Sequence, residues 1–91
     1  MTRKVTVLNP AGLHARPSLA IVQTVKQSKS KVEARTARQT IDAGDILQIL
    51  GLGAVQGTEL TFTAVGPDAE QVLDAIVDLF TRRFGLCGEP D

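Results

Sequence analysis

The sequence has no tryptophan, no tyrosine and only three phenylalanines. A core must therefore come from aliphatic packing, and binding that relies on stacking bases against interleaved aromatic rings is excluded. The single cysteine, Cys87, cannot form an internal disulfide. One histidine and one cysteine cannot build a typical metal site. Charge of one sign is also lacking: ten basic residues balance ten acidic ones. That balance argues against nucleic acid or an anionic membrane surface as the main partner. No stretch approaches the ~20 apolar residues that span a bilayer, and the first six residues lack the apolar run of a signal peptide. The expectation is a cytoplasmic chain with no membrane insertion and no cofactor. Ninety-one residues make one domain with one core, burying roughly 60–65% of the surface exposed by the unfolded chain.

What is present is organised around Gly12-Leu13-His14-Ala15-Arg16-Pro17. The only histidine lies where a strand-like segment (4–8) gives way to a helical one (15–27). Between them, Asn9-Pro10-Ala11-Gly12 is turn chemistry. Pro17 lacks an N–H and is tolerated only in the first turn of a helix. The helix therefore starts just before it, with His14 at or beside the N-cap. First-turn amides carry a partial positive charge and precede the intrahelical ladder, so they hold anions, phosphate in particular. That charge also favours a neutral, nucleophilic imidazole. Arg16 adds a guanidinium fork suited to phosphate oxygens. Together these suit a histidine that takes a phosphoryl group and gives it back. A lone histidine is also commonly a plain surface residue, and spacing alone does not decide between the two.

Elsewhere the pattern reads βαββαβα, with no repeat, linker or low-complexity tract. Val5 and Val7 share one side of a first strand. Ala15, Ser18, Ile21, Val22 and Val25 share one helical face. Residues 32–35 and 39–42 are short strands, and the connection 36–38 has no Gly or Asn, so the tight-hairpin signal is weak there. The cluster Lys26, Lys29, Lys31, Arg35 and Arg38 reads as a solvated face rather than a nucleic-acid patch. Residues 45–52 form a short helix with capping-box spacing between Asp45 and Gln48. Its apolar residues outnumber one stripe: with Ile49 and Leu52 inward, Ile46, Leu47 and Leu50 stay partly outward. They are either buried all round or an exposed patch for docking proteins. Gly51, Gly53 and Gly57 read as helix C-cap and turn glycines, since the Walker spacing and its lysine are absent. Residues 59–65 alternate as a fourth strand. Asp68 and Gln71 have capping-box spacing at the start of a last helix reaching about residue 84, with Val72, Leu73, Ile76, Leu79 and Phe80 on its apolar face. Residues 85–91 read as a loose tail. Short connections favour a small antiparallel sheet covered on one face by helices, an α+β two-layer fold, and do not fix the strand order. Ser18 lies one helical turn after His14 and reads as a helix-face hydroxyl.

The run Asn9-Pro10-Ala11-Gly12-Leu13-His14-Ala15-Arg16-Pro17 resembles the active-site signature of the HPr family, histidine-containing phosphocarriers of the bacterial phosphotransferase system. A second resembling block is Asp45-Ile46-Leu47-Gln48-Ile49-Leu50-Gly51-Leu52-Gly53 followed by Gly57-Thr58-Glu59-Leu60, and the similarity covers residues 3–84. The resemblance implies an open-faced two-layer sandwich with a four-stranded antiparallel sheet, three helices on one face and His14 at an exposed edge. It implies phosphorylation of His14 through Nδ1, with Arg16 supporting and Ala15 and Arg16 stabilising the phosphate. It further implies that enzyme I donates the group and an enzyme IIA domain receives it in sugar uptake, that Ile46, Leu47 and Leu50 contact these partners, and that a monomer suffices.

Many family members carry a regulatory serine where this chain has Asp45. That residue reads as an N-cap, or as a partial mimic of phosphoserine with one charge against roughly −1.5 to −2. Two other functions stay open: a carrier in the nitrogen-regulatory branch, which the apolar end of the last helix (76–80) resembles, and a regulatory binding module whose histidine is never phosphorylated.

Overall fold

The computed structural model describes residues 1–8 and 10–82. Its elements run β1 (Thr2–Thr6), α1 (Ala15–Lys26), β2 (Lys31–Arg35), β3 (Thr40–Asp42), α2 (Ile46–Gly51), β4 (Glu59–Val65) and α3 (Ala69–Thr81). The four strands form one antiparallel sheet in the order β1-β4-β2-β3. The last strand in sequence is thus central. It has the clearest period-two pattern: Leu60, Phe62 and Ala64 are buried and alternate with more exposed Glu59, Thr61 and Thr63. Across from them Val5, Val32 and Ala34 turn to the same side. Helices pack on that side alone. Ile21, Val22 and Val25 of α1, Ile49 of α2, and Val72, Leu73, Ile76 and Phe80 of α3 complete a single core. Phe62 and Phe80 meet across it with ring centroids 5.8 Å apart and planes tilted by 59°. No helix among the described residues is long and apolar enough to cross a membrane.

Several expectations shift in the structure. The first strand starts at Thr2 rather than residue 4. The alternation was hidden there because Arg3 stands at an inward register position, opposite Phe62, and reaches Asp74 at 3.5 Å. Val7, expected in the strand, is buried but pairs instead with the loop before β4, through Val7 N–H to Thr58 O at 2.9 Å and Gly57 N–H to Val7 O at 2.8 Å. Ala15, expected on the buried face of α1, is exposed. As the first helical residue, its Cβ tilts toward solvent ahead of the helix. The connection 36–38 does turn a β2–β3 hairpin, using a threonine: Thr36 Oγ1 accepts from the amides of Arg38 at 3.2 Å and Gln39 at 3.3 Å.

The capping box expected at Asp68 does not form, because that side chain makes no cap hydrogen bond to α3. Its carboxylate crosses to the loop after α1 and accepts from Lys29 N–H at 2.9 Å and from the Ser30 hydroxyl. These bonds hold its pKa below the ordinary aspartate value. Gly66 makes room for the crossing, since a Cβ there would lie 2.6 Å from Ser30 Cα. α3 ends at Thr81 with Arg82 as its C-cap, short of the expected residue 84, and the tail 85–91, Cys87 and Asn9 lie outside the described residues.

Candidate functional site

His14 is the N-cap of α1, with extended backbone (φ −83°, ψ −165°), and its side chain makes no cap hydrogen bond. The first helical bond runs from Ser18 N–H to His14 O at 3.1 Å. Ahead of it stand the amides of Ala15 and Arg16, while Pro17, buried at the third helical position, has none. Two adjacent donors at the positive end of a 12-residue helix therefore flank the imidazole in sequence. Arg16 and Ala15 are both exposed.

The ring does not lie fully bare. His14 is half-buried, and its Nε2 is shut away from solvent. Ser18, the neighbouring hydroxyl, is fully buried and donates to Leu13 O at 3.1 Å. It serves the turn and is not offered to the imidazole.

The histidine loop is held from behind by the loop that follows α2. Leu13 N–H donates to Ala54 O at 2.8 Å, and Leu13 and Ala54 are both buried. Gly12 makes this approach possible: its φ is +71°, and a Cβ there would sit 2.3 Å from Ala54 O and 2.9 Å from Val55 Cα. Gln56 Nε2 adds a bond to Leu8 O at 3.0 Å. The loop glycines divide by role. Gly53 (φ +60°) follows the C-cap Leu52, and Gly57 (φ +92°) turns the chain toward β4. Gly51 is the last residue of α2 itself and has no positive φ, so the C-cap reading fails for it.

The short helix beside this loop is capped as its spacing foretold. Asp45 Oδ1 accepts from the amides of Leu47 at 3.0 Å and Gln48 at 3.3 Å, and Oδ2 accepts from Gln48 Nε2 at 3.2 Å. Gln48 differs from a standard capping box by reaching past the cap, its Oε1 accepting from Asp42 N–H at 2.9 Å. Both oxygens of Asp45 are therefore engaged in holding the helix. Ile49 is buried, whereas Leu47 is 77% and Leu50 39% exposed. Ile46 and Leu52 are half-buried against the core. The surplus of apolar residues on α2 is thus an outward patch, centred on Leu47 and Leu50, with Ile46 at its inner edge.

Fold and site together define a class: small α+β domains that present one imidazole at the head of their first helix, beside an apolar second helix. A family model described as "PTS HPr component phosphorylation site" matches residues 1–82. The HPr phosphocarrier of Lysinibacillus sphaericus is 34% identical over 89% of this chain and 92% of its own length. That of Cupriavidus necator is 33% identical over 93% and 96%. The crystal structure of HPr from Thermoanaerobacter tengcongensis superposes with a TM-score of 0.89 at 33% identity, covering 93% of this chain and 96% of that one. The chain belongs to the HPr family of the phosphotransferase system, whose members are phosphocarriers and not enzymes.

Proposed function

We propose that His14 accepts a phosphoryl group on Nδ1 from phosphorylated enzyme I and passes it to an enzyme IIA domain in sugar uptake. The observation that supports this most is the position of the imidazole as the cap of α1 with Nε2 turned inward. With Nε2 enclosed, the transfer is assigned to the other ring nitrogen, Nδ1. The tautomer that does this carries its proton on Nε2 and a lone pair on Nδ1. That lone pair forms the N–P bond as the bond between phosphorus and the donor breaks. The incoming negative charge arrives at the head of α1, near the Ala15 and Arg16 amides and within the reach expected of the Arg16 guanidinium. A helix end contributes ~0.3–1 kcal/mol to an anion, and up to ~2 when partly buried. Stabilisation of that size biases the transfer and leaves the group labile enough to move on. Donor and acceptor dock on the exposed patch of Leu47, Leu50 and the edge of Ile46. Asp45, capping the helix beneath that patch, acts as a cap in place of a regulatory serine. One copy of the chain is sufficient for the transfer.

The test is incubation with enzyme I and phosphoenolpyruvate, followed by addition of an enzyme IIA domain. Acid-labile phosphate on the chain, absent in His14→Ala and discharged by the acceptor, is the expected result. A chain that stays unphosphorylated with a competent enzyme I overturns the reading in favour of a binding module.

A further inference from the structure

The face of the sheet that carries no helix is lined by charged and threonine side chains in rows across the strands. Register sets Lys4, Thr61, Arg35 and Thr40 side by side across all four strands, on the outward side. The next outward row is Thr2, Thr63, Glu33 and Asp42. Glu59 and Thr6 lie in the row beyond Lys4, and Lys31 and Val65 in the row beyond Glu33, so cations and carboxylates alternate along the face. Beside the row of Lys4 and Arg35 the turn 36–38 and the loop 52–58 join the strands to line an open groove of about 670 Å³.

Lys4, Arg35, Arg38 and Glu59 line this groove, giving three positive charges against one negative. Glu59 is matched by Lys4 at 3.6 Å. Arg35 and Arg38 make no ion pair among the described residues, so two guanidinium groups face the groove's solvent with no carboxylate partner. Thr61 stands between Lys4 and Arg35, and its hydroxyl makes no hydrogen bond among the described residues. No aromatic residue lines the groove, so a nucleobase would find nothing to stack on. His14, Ala15 and Arg16 are not part of it.

We propose that this groove is a second anion site, which binds a small phosphorylated polyol. Guanidinium forks match phosphate oxygens in pairs, so the phosphate lies between Arg35 and Arg38. The polyol hydroxyls meet Thr61. Because the groove is open and its charges are hydrated, binding is weak and salt-sensitive. The site does not depend on phosphoryl transfer at His14, and a chain that never carried a phosphoryl group would still bind there.

The experiment is an amide chemical-shift titration of the full chain with glycerol 3-phosphate as the probe, with glycerol and inorganic phosphate run in parallel. The expected result is saturable shifts at Arg35, Arg38 and Thr61 that glycerol does not reproduce. Inorganic phosphate is expected to bind the same residues several-fold more weakly. Arg35→Gln combined with Arg38→Gln is expected to weaken probe binding at least tenfold, leaving any shifts at Ala15 and Arg16 in place. Thr61→Val, which keeps the β-branched shape, is expected to remove the preference for the polyol over free phosphate. Shifts confined to 14–16, shifts that never saturate, or shifts unchanged in the double variant overturn the site. Equal affinity for inorganic phosphate overturns the polyol assignment.

Discussion

Gly12→Ala is the substitution whose outcome the structure specifies most closely. Two costs combine. A non-glycine residue at φ +71° sits in the left-handed region, at about 1–2 kcal/mol. The new Cβ would also lie 2.3 Å from Ala54 O, closer than atoms can approach, so the loop must back away. Backing away breaks the 2.8 Å bond from Leu13 N–H to Ala54 O, worth about 0.5–1.5 kcal/mol net. The expected loss is about 2–3 kcal/mol by urea denaturation. Gly53→Ala is the control: its φ is +60°, but nothing lies within 4 Å of the added Cβ, so only the backbone cost of about 1–2 kcal/mol applies. The second readout is the initial rate of phosphoryl uptake from enzyme I. Leu13 adjoins His14, and misplacing a reacting group by about 1 Å can cost on the order of 100-fold in rate. Gly12→Ala is expected to accept the group at least tenfold more slowly, with Gly53→Ala close to wild type. If Gly12→Ala proves as stable as Gly53→Ala and is charged at the wild-type rate, the two loops do not position His14 as argued.

Three further outcomes follow from particular contacts. Asp45→Ala removes the acceptor for the Leu47 and Gln48 amides and is expected to cost about 1 kcal/mol in thermal or chemical unfolding. Leu47→Ala, at a residue 77% exposed, is expected to change stability by less than about 0.5 kcal/mol, yet to weaken enzyme I binding in a calorimetric titration. The Asp68 carboxyl is held below its ordinary pKa by Ser30 and Lys29, so the unfolded chain takes up that proton first as pH falls. Its contribution to stability is complete above the ordinary aspartate range and is lost as pH drops through the lower, folded value. Asp68→Asn is therefore expected to be less stable than wild type near neutrality and to flatten the acid limb of a stability-against-pH profile.

Much of this was legible in the residues because the local signals agreed with one another. Pro17 confines the helix start to the residues just before it, and the cap falls on His14 within that range. Leu60, Phe62 and Ala64 alternate without interruption, and β4 has the bounds their period demands. The signals failed where a side chain bonds at long range. Asp68 and Gln71 have capping spacing, but Asp68 turns to Lys29 and Ser30, 39 and 38 positions away in sequence, which no local pattern can reveal. Arg3 spoils the alternation of β1 because its partner, Asp74, lies on α3. Gly12 was readable as a turn glycine, but its meeting with Ala54 depends on the loop after α2 folding back. Likewise Arg35 and Arg38 read as two members of a scattered basic cluster. The strand register sets Arg35 in one row with Lys4, and the turn after β2 brings Arg38 to the same groove, which the sequence pattern does not reveal.

The proposed transfer rests on which nitrogen of His14 takes the phosphoryl group. Nitrogen-15 NMR of the chain charged by enzyme I and phosphoenolpyruvate reads this directly, because the phosphorylated ring nitrogen couples to phosphorus. That coupling is expected at Nδ1 of His14, with Nε2 protonated. Phosphorus coupled to Nε2, the nitrogen the fold turns inward, would contradict it.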